Sequence, residues 1–169
     1  MAQKKAAPST SGPQAPVHVG SVTLNLGLGV GDEYHDHYYK QPMGTKAAVE
    51  WGLWQAGPGT ITLGGEIGAS FSNGYYNDYR TNTIIVAMRS AWHYGWKVKG
   101  LDTYAGFSAG PGFHNYYNQH HSEYDGHDTF VFVGGFIGAS YFVTPHFGFN
   151  TEAGFDITNF QLGIIFKLK

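Results

Sequence analysis

The sequence predicts an all-β chain that closes as an eight-stranded antiparallel transmembrane up-and-down β-barrel of the outer-membrane type. Three observations carry this expectation. Apolar residues alternate with small or polar ones in eight segments, the pattern of a wall with one face in lipid and the other on a lumen. The connections between those segments are alternately long and short. Charged residues make up only 13% of the 169 positions against 17% aromatic residues, with 25 glycines among them.

Composition narrows the function classes. No stretch approaches the roughly 20 consecutive apolar residues of a membrane-spanning helix. A net charge of -2 with no basic stripe excludes a nucleic-acid binder. Cysteine is absent, which removes disulfides, thiolate metal sites and thiol nucleophiles. Residues 1–16, rich in Ala, Lys, Pro, Ser and Gln, lack the apolar core of a signal peptide. They read as the flexible leader of a mature exported chain, and residues 17–169 as the barrel.

The first strand is expected over residues 17–31. Val22, Leu24, Leu26, Leu28 and Val30 face one way, and Ser21, Thr23, Asn25, Gly27 and Gly29 the other. After a polar connection over 32–45, Ala47, Val49, Trp51 and Leu53 alternate with Lys46, Ala48, Glu50 and Gly52 in the second strand. Gly57, Pro58 and Gly59 supply the backbone angles of a tight hairpin turn. The third strand sets Ile61, Leu63, Ile67 and Phe71 against Thr62, Gly64, Glu66, Gly68 and Ser70, and a polar loop over 73–82 follows.

In the fourth strand Ile84, Val86, Met88 and Trp92 oppose Ala87, Arg89, Ala91 and His93. A short connection over 95–100 leads to the fifth, where Leu101, Thr103, Ala105, Phe107 and Ala109 alternate with Asp102, Tyr104, Gly106, Ser108 and Gly110. Pro111 is expected to end it, where a missing ladder donor matters least. The longest loop is expected over 114–128. The sixth strand, over 129–142, is apolar on both faces, so alternation leaves its orientation open. A tight turn over 144–146 precedes the seventh strand, with Phe147, Phe149, Thr151, Ala153 and Phe155 opposite Gly148, Asn150, Glu152 and Gly154. A link over 157–159 leads to the eighth, where Phe160, Leu162, Ile164, Phe166 and Leu168 face away from Gln161, Gly163, Ile165 and Lys167.

With eight strands both termini share one end, and in such barrels that end and the short turns are periplasmic. All four tryptophans, Trp51, Trp54, Trp92 and Trp96, fall near short turns, where an interfacial aromatic belt would sit. Glu50, Glu66, Arg89 and Glu152 all lie on the face opposite the apolar one, five to seven residues from a short turn. A lipid-facing cation near mid-bilayer costs about 2–4 kcal/mol, so these four are expected to form a lumenal charge network, with Tyr104 or His93 as hydrogen-bond partners. Three carboxylates then face one guanidinium, an excess that Lys46 or Lys167 would relieve by reaching in. Acid–base catalysis by these carboxylates is disfavoured because an eight-stranded barrel is filled by side chains.

With these segments in place, the chain resembles the small eight-stranded outer-membrane proteins of the outer-membrane protein X and outer-membrane protein A barrel type, especially the short versions of Bacteroidetes. The likeness covers residues 17–169. It is carried by Ala48-Val49-Glu50-Trp51-Gly52 before Gly57-Pro58-Gly59-Thr60-Ile61, by Gly134-Gly135-Phe136-Ile137-Gly138-Ala139 before Thr144-Pro145, and by the closing Leu162-Gly163-Ile164-Ile165-Phe166-Lys167-Leu168. The resemblance implies the outer membrane of a Gram-negative bacterium, with outer-membrane lipid and lipopolysaccharide as surroundings and a protein in the envelope as a candidate partner. It does not choose among adhesins, envelope anchors, complex subunits and lipid-modifying enzymes. In such barrels the last strand is read by the insertion machinery and usually ends in an aromatic residue, whereas here Lys167, Leu168 and Lys169 follow Phe166.

The outer connections hold His35, His37, His114, His120, His121 and His127, which with nearby Asp and Glu are candidate ligands for a transition metal. Solubility explains the same composition, and no resident cofactor is expected. Nine of the twelve tyrosines lie there too, Tyr38, Tyr39, Tyr75, Tyr76, Tyr116 and Tyr117 among them. Tyrosine set among Asn, Gly, Ser and His suits an adaptable partner-binding surface. No catalytic residue is assigned. His120-His121-Ser122 is superficially similar to the His-x-Ser pair of the lipid A deacylases, but the position where that family places a glutamate is Gly134. The function expected is therefore a non-enzymatic barrel, either an envelope-complex subunit or a surface protein. Surface metal capture and lipid A modification are the alternatives, and a soluble lipocalin-like carrier is the alternative fold.

Overall fold

The computed structural model describes residues 15–31, 42–73, 79–118 and 126–169, with the side chains of Asn73, Tyr79, Tyr116, Tyr117 and Asn118 outside that description. Its strands are β1 (Val22–Val30), β2 (Met43–Ala56), β3 (Gly59–Asn73), β4 (Tyr79–Gly95), β5 (Leu101–Asn118), β6 (Gly126–Phe142), β7 (Phe147–Phe155) and β8 (Phe160–Lys167). Each pairs with its sequence neighbours, and β1 also pairs with β8 from Thr23↔Lys167 to Val30↔Phe160, so the sheet closes as a barrel. Closure leaves the spanning wall without an edge, the condition for taking a backbone through lipid.

The two faces of this wall are inverted relative to a soluble barrel. Leu28 is 70% exposed and Val131 82%, while Arg89 is 1% exposed. A band of Leu, Ile, Val, Phe and Met on the outside, with charges inside, overturns the lipocalin-like alternative. The all-β, eight-stranded up-and-down transmembrane barrel read from the alternation is the fold.

Local departures from simple alternation have identifiable causes. Strand parity would place Trp54 inward with Gly52, but the β2–β3 register shifts between Gly52 and Trp54, and this bulge leaves both Leu53 and Trp54 outside. The hairpin after it turns on two residues, with Gly57 at φ 60° before Pro58, the arrangement of a turn that takes glycine first. The two apolar faces of β6 separate by size and partner. Val131, Val133, Ile137 and Tyr141 face lipid, whereas Phe132, Phe136 and Phe142 are buried. Those rings sit on the lumenal face beside Gly134, Gly138 and Ser140, since a narrow lumen alternates large with small residues.

Four boundaries differ from expectation. β1 begins at Val22, because residues 17–21 fold across the short-turn end. Val17 packs there with Phe142 and Ile165, and Gly20 N–H donates to Gly52 O at 2.8 Å. The barrel body likewise takes in Ala15 and Pro16: Ala15 lies over Gly95, and Pro16 O accepts from Lys167 Nζ at 3.3 Å. Pro111 does not end β5. It lies within the strand opposite Val131, where the β4–β5 ladder is interrupted between Ile85↔Gly112 and Met88↔Ala109. A proline is tolerated there because its missing N–H falls in that interruption. Much of the expected long loop is also strand: His114 pairs with Asp128, and Asn115 with His127.

The remaining difference concerns the link between β7 and β8, which turns into the lumen. Asp156, Ile157 and Thr158 are all buried, and Ile157 packs with Ile85, Ala87 and Phe132. The backbone leaves room for it: a Cβ on Gly44 would stand 2.6 Å from Thr158, and one on Gly29 2.5 Å from the same side chain. This plug accounts for the brevity of the fourth outer connection. Ile157→Ala should lower stability by about 2–5 kcal/mol, whereas Val131→Ala on the lipid-facing wall should shift it far less. Urea titration of the folded fraction in detergent micelles, followed by gel mobility, checks both. Equal midpoints for Ile157→Ala and the parent chain would show that the link does not pack in the lumen.

Candidate functional site

The inward face of the strands delivers one connected set of charges to the middle of the lumen. Glu50 comes from β2, Glu66 from β3, Arg89 from β4 and Glu152 from β7, all buried. Arg89 is the hub. Its Nε lies 2.6 Å from Glu50 Oε1, Nη1 3.1 Å from Glu66 Oε2, and Nη2 2.5 Å from Glu152 Oε2. The guanidinium stands over the Phe136 ring with Cζ 3.8 Å from the centroid, adding a cation–π contact in a site where water does not screen it.

The network extends toward both ends. Lys46 on β2 does reach in, with Nζ 2.7 Å from both Glu152 Oε1 and Asp156 Oδ2 and 3.7 Å from Glu66 Oε2. It thereby ties the plug to the wall. Toward the short-turn end, Thr62 Oγ1 donates to Glu50 Oε2, and His93 joins Glu50 to Asp102, with Nε2 3.4 Å from Glu50 Oε2 and Nδ1 2.7 Å from Asp102 Oδ2. Tyr104 donates to Glu152 Oε2 at 3.0 Å and stacks on His93 with ring centroids 4.9 Å apart. The second lysine considered for this role, Lys167, contacts Pro16 O instead.

Apolar clusters close this polar layer on both sides: Val17, Phe142 and Ile165 at the short-turn end, and Ile85, Ala87, Phe132 and Ile157 at the other. The arrangement presents its charges to each other rather than to solvent, which suits a staple between strands. Asp102 and Asp156 are members that the sequence reading did not include. For Asp102 a signal existed, because it shares lumenal parity with Tyr104. For Asp156 none did, since residues outside a strand have no parity.

The tryptophans stand at the outer surface near the short turns, where Trp92 Nε1 donates to Ala56 O at 3.1 Å and Trp96 Nε1 to Thr103 Oγ1 at 2.9 Å. Trp51 and Trp54 are half exposed on the same end of β2. The histidine set is divided. His35, His37, His120 and His121 lie outside the described residues, as do Tyr38, Tyr39, Tyr75 and Tyr76. Tyr116 and Tyr117 belong to β5, with side chains outside the description. His114 faces the lumenal side, 2.9 Å from Thr83 Oγ1 and stacked on Phe130. His127 is exposed beside Asn115 Oδ1 at 2.6 Å. These two histidines therefore point to opposite faces of the β5–β6 ribbon. Among the described residues no group of three His, Asp or Glu is placed to hold a metal.

Fold and site together define an outer-membrane-type eight-stranded β-barrel with a packed, charged lumen. Solved structures with this fold include Neisserial surface protein A, at 12% identity over 88% of this chain and 96% of that one, with a TM-score of 0.53. The N-terminal β-barrel domain of Pseudomonas aeruginosa OprF matches at 17% identity over 89% and 98%, with a TM-score of 0.52. Ail of Yersinia pestis, in complex with the heparin analogue sucrose octasulfate, matches at 9% identity over 87% and 93%, with a TM-score of 0.50. At these identities the likeness is one of fold. No protein-family model and no curated protein sequence matches the chain.

Breaking a buried ion pair from one side typically costs roughly 3–5 kcal/mol, because the remaining charge has lost its partner. Arg89→Met should accordingly lower the urea midpoint of the folded barrel sharply, and adding Glu50→Gln and Glu152→Gln to it should restore part of the loss. An Arg89→Met barrel that unfolds at the parent midpoint would show that the network does not staple the strands.

Proposed function

We propose that this chain is a non-enzymatic surface protein of the Gram-negative outer membrane whose work is done by the outer end of the barrel. One observation carries the reading: the strands are unequal. β3, β4, β5 and β6 have 15, 17, 18 and 17 residues, while β1, β7 and β8 have 9, 9 and 8. Roughly 9–11 residues cross a bilayer. The surplus in β5, about seven residues, raises its hairpin some 20 Å beyond the membrane at about 3.3 Å per residue. Four adjacent long strands thus form a stiff platform on one side of the rim, and the low side is closed by the buried link between β7 and β8.

A platform of this kind favours contact with a partner over passage of a solute. The lumen beneath it is filled by the Arg89 network between two apolar clusters, and the charges there compensate one another rather than facing a substrate. The sequence of the outer end supports a protein partner. Asp32, Glu33, Asp36, Asp78, Glu123, Asp125 and Asp128 outnumber Lys40 and Arg80 across these connections. Net negative charge repels a polyanion, so the sulfated ligand seen with Ail is a poor model for this chain, and a partner with a basic or aromatic-binding surface is favoured. The tyrosines that the sequence places in and beside these connections would supply contact area at low entropic cost.

Photo-crosslinkers placed at Tyr117 and His127 should yield a discrete protein adduct on intact cells, while one at Lys97 on the opposite end should not. Replacing residues 119–125 by Asn-Gly, with the crosslinker kept at Tyr117, should abolish that adduct and leave the heat-modifiable barrel intact. In planar bilayers the purified protein should give no stepwise conductance. Adducts formed only from Lys97, or steady single-channel steps, would overturn the proposal.

A further inference from the structure

The two ends of the barrel differ in charge. Among the described residues, the short-turn end exposes Lys97, Lys99 and Lys169, with Lys167 half-buried beside them, and it exposes no carboxylate side chain. Asp102 at that end is buried against His93, and the exposed acid Asp128 lies at the opposite end. Short turns place this cationic end on the periplasmic side, at the level of the inner-leaflet headgroups.

The cations are not spread evenly along the rim. Between the turn over 96–100 and the turn over 143–146 lies a cleft of about 550 Å³ whose lining includes Lys99 and Lys167 together with Tyr141 and Val143. Tyr141 and Val143 are each about half exposed and continue the lipid-facing wall. Lys167 Nζ contacts Pro16 O at 3.3 Å, and neither it nor Lys99 is ion-paired with a carboxylate among the described residues. The cleft therefore joins two ammonium groups to an apolar surface at the depth where a phospholipid changes from acyl chain to phosphate.

We infer that this cleft binds the headgroup of an anionic glycerophospholipid of the inner leaflet. Its phosphate would lie between Lys99 and Lys167, and the upper part of an acyl chain along Tyr141 and Val143. Lysine ammonium groups suit such a ligand, because each is a point charge on a flexible stem that follows a mobile phosphate. A zwitterionic headgroup brings its own cation and gains less. The apolar flank distinguishes a lipid from free phosphate, which has nothing to place on Tyr141 and Val143.

Native mass spectrometry of the full chain, released from micelles carrying equal amounts of phosphatidylglycerol and phosphatidylcholine with matched acyl chains, tests the site. The parent chain should retain one phosphatidylglycerol in about tenfold preference. Lys99→Gln, in an exposed turn, should reduce that preference severalfold, and Lys99→Gln with Lys167→Gln should remove it. Arg80→Gln at the opposite end should leave it unchanged. Should the double variant fail to fold, Lys99→Gln alone decides. Equal retention of the two lipids, an undiminished preference in the folded Lys99→Gln chain, or complete displacement by inorganic phosphate at matched concentration would overturn the inference.

Discussion

A guanidinium withdrawn from water is stable only where anions and hydrogen bonds replace its hydration, and the position of Arg89 imposes that requirement on most of this barrel. Three carboxylates from three other strands meet it at 2.5–3.1 Å. Each of those carboxylates needs further partners, which Lys46, Thr62, His93 and Tyr104 provide. The outcome is a lattice of charge running from Asp102 at the short-turn end to Asp156 in the plug. It couples β7 to β2, β3 and β4 across the lumen, strands that do not pair with β7 and face it only because the sheet closes. A low local dielectric strengthens every one of these contacts and makes an unpaired member costly, so the set behaves as a unit.

The apolar clusters on either side of the lattice keep that dielectric low. At the short-turn end Val17 belongs to the seal, so a segment ahead of the first strand contributes to the lumen. At the outer end the seal is made by the link between β7 and β8, which enters the lumen over glycines and is held by the pairing of Asp156 with Lys46. The same inward turn lowers one side of the outer rim. Opposite it, β3 to β6 are 15 to 18 residues long, against 9 and 8 in β7 and β8, so the two sides of the barrel differ in height. At the opposite end Lys97, Lys99 and Lys169 are exposed, so the described residues of the two rims differ in charge.

Much of this was legible in the alternation. The lumenal parity of Glu50, Glu66, Arg89 and Glu152 followed from their strands, because a lipid-facing charge is too costly to occur by accident. The excess of carboxylates pointed to Lys46 or Lys167 without choosing between them, and Lys46 is the one that reaches in. The outward positions of Trp51, Trp92 and Trp96 near the short turns followed from the alternation of their strands and their distance to those turns. Trp54 faces lipid as well, yet by a bulge that alternation does not encode. The orientation of β6 was hidden, since Phe132 and Val131 are equally apolar and only the ring-sized spaces of the lumen separate them. Pro111 misled because its tolerance depends on a gap in the ladder with β4, a property of the pair of strands.

From its order of residues the chain specified eight strands, the face that seven of them turn to lipid, and the end at which the turns are short. These follow from local periodicity and from the cost of placing polar groups in hydrocarbon, and both can be read one strand at a time. Closure of the sheet was needed to bring Asp102, His93, Glu50, Arg89, Glu152, Lys46 and Asp156 into one network and to fold the β7–β8 link inward. Those features depend on distances between residues remote in sequence, which exist only once the strands have taken their register around the barrel.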